Sequence, residues 1–112
     1  MNKSSFDAWQ IVEKEYPEIA DVISGSIDRL LETVKLDNKT KQLIYIAVQT
    51  AVNYPLAVKY HVPEALAAGA TRDEIISAAA IASAAAGPKG FVRSFPTILE
   101  TIHIHNTKKG II

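Results

Sequence analysis

Apolar residues recur along this chain at spacings of three and four, the repeat of a helix face, and no stretch alternates in the way that marks a strand. After Ser4, the residues Phe6, Trp9, Val12 and Tyr16 follow at three, three and four and predict a first helix. Pro17 suits the first position of a second helix, where its missing N–H leaves no bond unmade. That helix carries Ile19, Val22, Ile23, Ile27, Leu30, Leu31 and Val34, with Gly25 weakening it from within. Asp37 is a cap for a third helix over about 38–53. Its pattern assigns Leu43, Ile44, Ala47, Val48 and Ala51 to one side. Gln42, Tyr45, Gln49 and Asn53 form a polar stripe on the other.

Pro55 opens a fourth helix that ends at Gly69, and Thr71 with Glu74 forms a capping box for a fifth. The fifth is mostly alanine and serine and stops at Gly87, so it buries little area and lets its neighbours come close. A place at the centre of the domain or at a subunit contact suits it. Pro88 starts a sixth helix with a stripe of Phe91, Phe95, Ile98 and Ile102. Pro96 is expected to kink or split it, because an interior proline costs about 3 kcal/mol. A polar tail is expected from Asn106. The fold class is therefore all-α, a bundle of about six helices.

Composition narrows the function. The 112 residues have room for one domain, expected to span 1–112, and 48% of them are hydrophobic, ample for a core. Twelve basic and twelve acidic residues cancel, so no charge excess favours a phosphate backbone, and nucleic acid is not an expected partner. The chain has no cysteine, which excludes disulfides, thiolate metal sites and a cysteine nucleophile. No N-terminal stretch reads as a signal-peptide core, and the least polar run, 75–87, is too short for a bilayer crossing of about 20 residues. A cytoplasmic protein without membrane contact is the expectation.

Candidate chemistry concentrates at the fourth helix. At 100° per residue His61 falls among Tyr54, Ala57, Val58, Ala65 and Ala68, with Lys59 and Pro63 on the far side. It is the one ionisable group on a face of small residues. It can be a packed, hydrogen-bonded core histidine, or, with an ordinary pKa near 6.5, a group that exchanges protons at cellular pH. The stripe Gln42, Tyr45, Gln49, Asn53 is either a wet face or a cavity wall opposite His61. Its amides can orient a polar ligand but cannot transfer a proton as a carboxyl group can.

Metal binding finds little support. His61 and Glu64 sit at i, i+3, half of a helical metal site, but no second pair exists. His103 and His105 point about 200° apart on a helix and read as a solvated tail. Lys108 and Lys109 are too few for a basic patch, and no phosphate-binding glycine loop or hydrolase motif is present. No metal and no cofactor is expected.

The order of these features is similar to a known family. Leu36-Asp37 precedes the third helix. His61 is followed by Ala65-Leu66 and Gly69, then by the run Gly69-Ala70-Thr71-Arg72-Asp73-Glu74-Ile75 and the alanine-rich helix to Gly87. Residues 36–87 resemble the carboxymuconolactone decarboxylase family, which includes alkylhydroperoxidase D-like proteins. The resemblance implies an alkylhydroperoxidase D-like helical bundle that assembles as a homotrimer or homohexamer.

The family's peroxidase branch uses Cys-x-x-Cys, a histidine four residues after the second cysteine, and a glutamate twelve residues before the first. Those positions here hold Tyr54, Ala57, His61 and Gln42, so only the histidine remains. Peroxide reduction needs a thiolate and a resolving thiol, and this chain has neither. The decarboxylase branch lacks the cysteine pair and implies cofactor-free decarboxylation of a lactone acid with histidine-mediated proton transfer. The resemblance therefore implies His61 as acid/base, with Gln42, Tyr45, Gln49, Asn53, Tyr54 and Tyr60 around a small acid or lactone. Arg72 and Arg93 are candidate carboxylate clamps if the fold brings them near. The rival reading is a non-catalytic, oligomeric binding or scaffold member that kept the fold and lost the site.

Overall fold

The computed structural model of the chain describes residues 5–110, with side chains from residue 8 onward. Ser4, the side chain of Phe6, Ile111 and Ile112 lie outside the described residues. Among the described residues there are six helices and no strand: α1 (Ser5–Glu15), α2 (Pro17–Thr33), α3 (Asn38–Ala51), α4 (Pro55–Ala67), α5 (Arg72–Ala86) and α6 (Lys89–Lys108). The chain divides between Leu36 and Asp37 into two compact units, one holding α1 and α2, the other α3 to α6.

In the first unit α1 packs against α2, and Pro17 occupies the first turn of α2 as its chemistry requires. Gly25 does not interrupt that helix. The apolar residues Ile19, Val22, Ile23, Ile27 and Leu30 of α2 are exposed.

In the second unit α3 packs most closely on α5 and α4, and α6 closes over α4 and α5. The core is Ile46, Val58, Val62, Ala65, Ala70, Ile75, Ala79, Ile98 and Ile102, one layer drawn from all four helices and the short turn at Ala70. Leu43, Leu66, Ile76 and Phe91 pack against its rim. The alanine-rich α5 enters this core through Ile75 and Ala79, and buries Ala82 as well.

Local signals set the helix ends. Asp37 caps α3 by accepting from the Thr40 N–H at 2.8 Å, and that bond, more than any nearby lysine, holds its carboxyl below the usual range. At the start of α5, Thr71 Oγ1 accepts from the Glu74 N–H and Glu74 Oε1 accepts from the Thr71 N–H, the reciprocal box that the sequence predicts. Glu74 also pairs with Lys39 at 3.1 Å, tying the starts of α3 and α5 together. Two helices end alike: the Tyr54 N–H reaches the Gln49 carbonyl past Asn53, and the Ala70 N–H reaches the Ala65 carbonyl past Gly69. Both turning residues have positive φ, 60° at Asn53 and 96° at Gly69, which these side chains tolerate.

Two expectations change. Pro96 does not split α6, which runs unbroken from Lys89 to Lys108. The carbonyl that loses its bond belongs to Val92, and Val92 and Pro96 both lie on the exposed side, so water satisfies it. The same holds at Pro63 in α4, whose orphaned carbonyl is that of exposed Lys59. The expected tail from Asn106 is still helical as far as Lys108.

The two sides of α3 are also rotated from the expected arrangement. Ile46 and Thr50 are fully buried, whereas Ile44 and Val48 are 46% and 54% exposed. The side assigned to the core thus contributes Leu43 and leaves Ile44 and Val48 outside. The reason is that α3 is wedged between α4 and α5. The wedge faces both neighbours at once and draws Gln42, Tyr45, Gln49 and Asn53 into half-buried positions.

Two helices approach closely at Gly90 of α6, where an added Cβ would collide with the carbonyl oxygen of Thr50 on α3 and lie 3.1 Å from its carbonyl carbon. Gly25 in α2 has no atom within 4 Å of such a Cβ. The same substitution should therefore have opposite signs at the two sites. In urea unfolding, Gly90→Ala is expected to lose about 3 kcal/mol by forcing α6 off α3. Gly25→Ala is expected to gain about 0.5–1 kcal/mol from helix propensity.

Candidate functional site

Tyr54 caps the start of α4, and His61 lies two turns further along it. Asn53 stands at the turn between α3 and α4, with Tyr45 eight residues before it and His61 eight after. Each arm rises about 12 Å from the turn at 1.5 Å per residue, so the antiparallel pair brings the two rings level. They stack with centroids 4.3 Å apart and planes 7° from parallel. Tyr60 meets the same imidazole edge-on, at 5.4 Å and 80°. One turn back along α3, the Gln42 amide oxygen lies 3.0 Å from His61 Nδ1.

His61 is half-buried, although it falls within the buried arc of Ala57, Val58, Val62 and Ala65 on the helix. Desolvation lowers its pKa from the ordinary 6.5, and the negative charge of Glu64 opposes that in part. The neutral imidazole is favoured, with its ring held by an aromatic face, an aromatic edge and an amide. Such a group can accept and return protons near neutral pH.

The predicted site residues divide into three sets. Gln42, Tyr45 and Tyr60 gather on His61. Gln49 and Asn53 continue the stripe along α3, half-buried, and the amide oxygen of each is buried without a protein hydrogen-bond partner. Tyr54 is exposed at the α4 start. Arg72 and Arg93 are both exposed.

Two polar residues escape the sequence reading. Thr50 and Ser94 are fully buried, on α3 and α6, with hydroxyls that have no protein partner. An unpaired buried polar atom costs about 1–3 kcal/mol, so such atoms mark places that water or a ligand serves. The signal in the sequence was Gly90, which lets α6 touch Thr50 and precedes Ser94 by one turn.

No group of three or more potential metal ligands occurs among the described residues. His103 is exposed and His105 half-buried on helical backbone, where their spacing keeps them apart. A shallow groove of about 410 Å³ elsewhere is lined by Leu43, Asp73, Glu74, Ser77, Ala78 and Ile81, none of them a predicted site residue. No helix among the described residues is long and apolar enough to cross a membrane.

Comparison with known proteins now decides the family. A sequence model of the Carboxymuconolactone decarboxylase family matches residues 17–95, from the start of α2 into α6. The chain belongs to that family. A relative, the uncharacterized protein MJ1511 of Methanocaldococcus jannaschii, is 28% identical over 91 residues, covering 81% of this chain and 85% of its own. The match takes in Gln42, the α3–α4 turn and His61, the segment on which the resemblance was drawn. Within the family, a chain without cysteine supplies no thiolate for peroxide reduction.

The depressed His61 pKa has a consequence for stability. The folded chain binds this proton less readily than the unfolded chain, so stability is full above pH 6.5. It is lost as pH falls through 6.5 toward the lower folded value. Denaturant unfolding between about pH 5 and 8 should show this slope in the wild type and a shallower one in His61→Gln.

Proposed function

We propose that this member of the family binds a small acid or lactone beside His61 and uses the imidazole for cofactor-free proton transfer. The observation that carries the reading is the arrangement of Gln42, Tyr45 and Tyr60 around a half-buried histidine. A packed core histidine would also need a partner on its ring nitrogen, so the reading rests on the half-exposed ring together with its polar and aromatic surroundings. The buried oxygen of Gln49, one turn from Tyr45 on the same stripe, is a further polar atom that a hydroxyl or acid O–H would satisfy.

Two reactions fit this chemistry. In decarboxylation, the bond from the carboxylate carbon to the ring carbon breaks and carbon dioxide leaves. The electron pair enters the conjugated enolate, and His61, having first taken a proton from solvent, delivers that proton to carbon. In a proton shift, neutral His61 takes a proton beside a carbonyl and returns it at another carbon of the enolate, with no atom lost. Neither needs a thiol.

The test is thermal unfolding of wild type and His61→Ala with small lactones, keto acids and muconate-like diacids. A ligand at a hundred times its dissociation constant adds about 2.7 kcal/mol, several degrees for a domain this size. A compound that stabilises the wild type and not the variant supports the reading. A panel that shifts neither protein overturns it.

A second reading has its own support. Ile44 and Val48 on α3 and Val52 just past its end form an exposed apolar stripe, and the apolar face of α2 is exposed as well. Faces of this kind suit self-association, and an oligomeric binding or scaffold role would use them without catalysis. A homotrimer or homohexamer is the expected assembly. Light scattering coupled to gel filtration should give a mass above one chain for the wild type, and Val48→Glu should lower it. A monomeric wild type would remove the assembly reading.

A further inference from the structure

We infer that Gln42 is a positioning residue, whose amide oxygen holds His61 in the Nδ1–H form and leaves Nε2 as a base that begins each cycle neutral. This rests on the proton-transfer reading above and deepens it. The amide oxygen lies 3.0 Å from Nδ1 and carries no hydrogen, so the proton of this bond belongs to the imidazole. A neutral imidazole with its proton on Nδ1 has a free lone pair on Nε2. Among the described residues, none hydrogen-bonds Nε2.

The ring has little freedom to exchange its nitrogens. Tyr45 from α3 covers one face nearly parallel to it, and Tyr60 from α4 abuts it edge-on. A half-turn of the imidazole would break the Gln42 bond and slide the ring against both.

The charges around His61 point the same way. Glu64, on its own helix, is a charged group whose field favours the imidazolium, and burial outweighs it. Tyr45 and Tyr60 are the titratable groups in contact with it. A carboxylate at residue 42 would stabilise the imidazolium, but the neutral amide orients the ring without adding charge. The site is therefore built to take a proton before it gives one.

That order selects within the proposed chemistry. A base that starts neutral fits a small acid or lactone carrying a C–H bond beside a carbonyl. The C–H bond breaks, its electron pair enters the enolate, and the proton moves to Nε2. The proton then returns to a different carbon of the enolate. Electrons and atoms balance within the substrate and His61, with no oxidant or reductant.

The experiment is ¹⁵N NMR of the histidine rings in the ligand-free full chain, for wild type, Gln42→Leu and Gln42→Glu. The expected wild-type result is a proton-bearing Nδ1 and a bare Nε2 at pH above the His61 midpoint. Gln42→Leu should move the ring toward the tautomer mixture of a solvated histidine. Gln42→Glu should keep the Nδ1–H form and raise the midpoint by about 1–3 units, because a carboxylate replaces the amide. A bare Nδ1 in the wild type overturns the inference even where a variant fails to fold, and so does an unchanged tautomer in a folded Gln42→Leu. These readouts need no ligand. A wrong tautomer therefore leaves ligand binding at His61 standing, and a panel without ligands leaves the tautomer standing.

Discussion

The contact on which the four-helix unit depends is backbone against backbone, where Gly90 of α6 meets the Thr50 carbonyl of α3. Any side chain there would hold the two helices apart by the width of a methyl group. With the helices this close, Ile46 from α3 reaches the layer formed by Val58 and Val62 of α4 and Ile98 and Ile102 of α6. A core built largely of alanine, valine and isoleucine has no long side chains to bridge a wider gap, and interiors tolerate few voids. The alanines of α5 serve the same end from the other side, by letting α3 and α6 approach it.

The site follows from a turn. Asn53 takes a left-handed conformation at the end of α3, and the Tyr54 N–H closes back on the Gln49 carbonyl. Pro55 then starts α4 at once, with its ring already at a helical φ. A connection this short permits only an antiparallel return, so the register between α3 and α4 is set by counting from residue 53. Tyr45 and His61 are equidistant from it, and Gln42 lies one turn beyond Tyr45. The aromatic stack and the amide contact are thus consequences of a three-residue connection, and lengthening it by one residue would take both away.

Much of this was legible in the residues. The helix starts at Pro17, Asp37, Pro55 and Thr71 and the stops at Gly69 and Gly87 are local chemistry, and local chemistry does not depend on neighbours. The inward tendency of His61 and the stripe from Gln42 to Asn53 were legible as well. What a single helix cannot show is which of its sides meets another helix. Ile44 and Val48 look like core by hydropathy, yet α3 lies between two neighbours and turns Ile46 and Thr50 inward instead. The pairing of Gln42 with His61 was legible only as a family position, because it joins residues nineteen apart across a turn. Thr50 and Ser94 gave no signal of their own, since short hydroxyl side chains are as common outside helices as within them. The split expected at Pro96 is absent for a related reason. A proline's cost is the loss of a carbonyl partner, and at Pro96, as at Pro63, that carbonyl belongs to an exposed residue that water can serve.

The chemistry left to the site is set by what stands in place of the redox residues of its relatives. With tyrosine and alanine at the thiol positions, no dithiol step can use this chain's own side chains. For the proposed proton chemistry, the surroundings of His61 matter more than its presence. Burial disfavours the imidazolium, Glu64 offsets that only partly, and Gln42 adds direction without charge. A carboxylate in the same place would have coupled orientation to basicity, so that a well-held ring was also a protonated one. The amide separates the two. It lets a fixed ring remain neutral, which is the state a base needs at the start of a reaction.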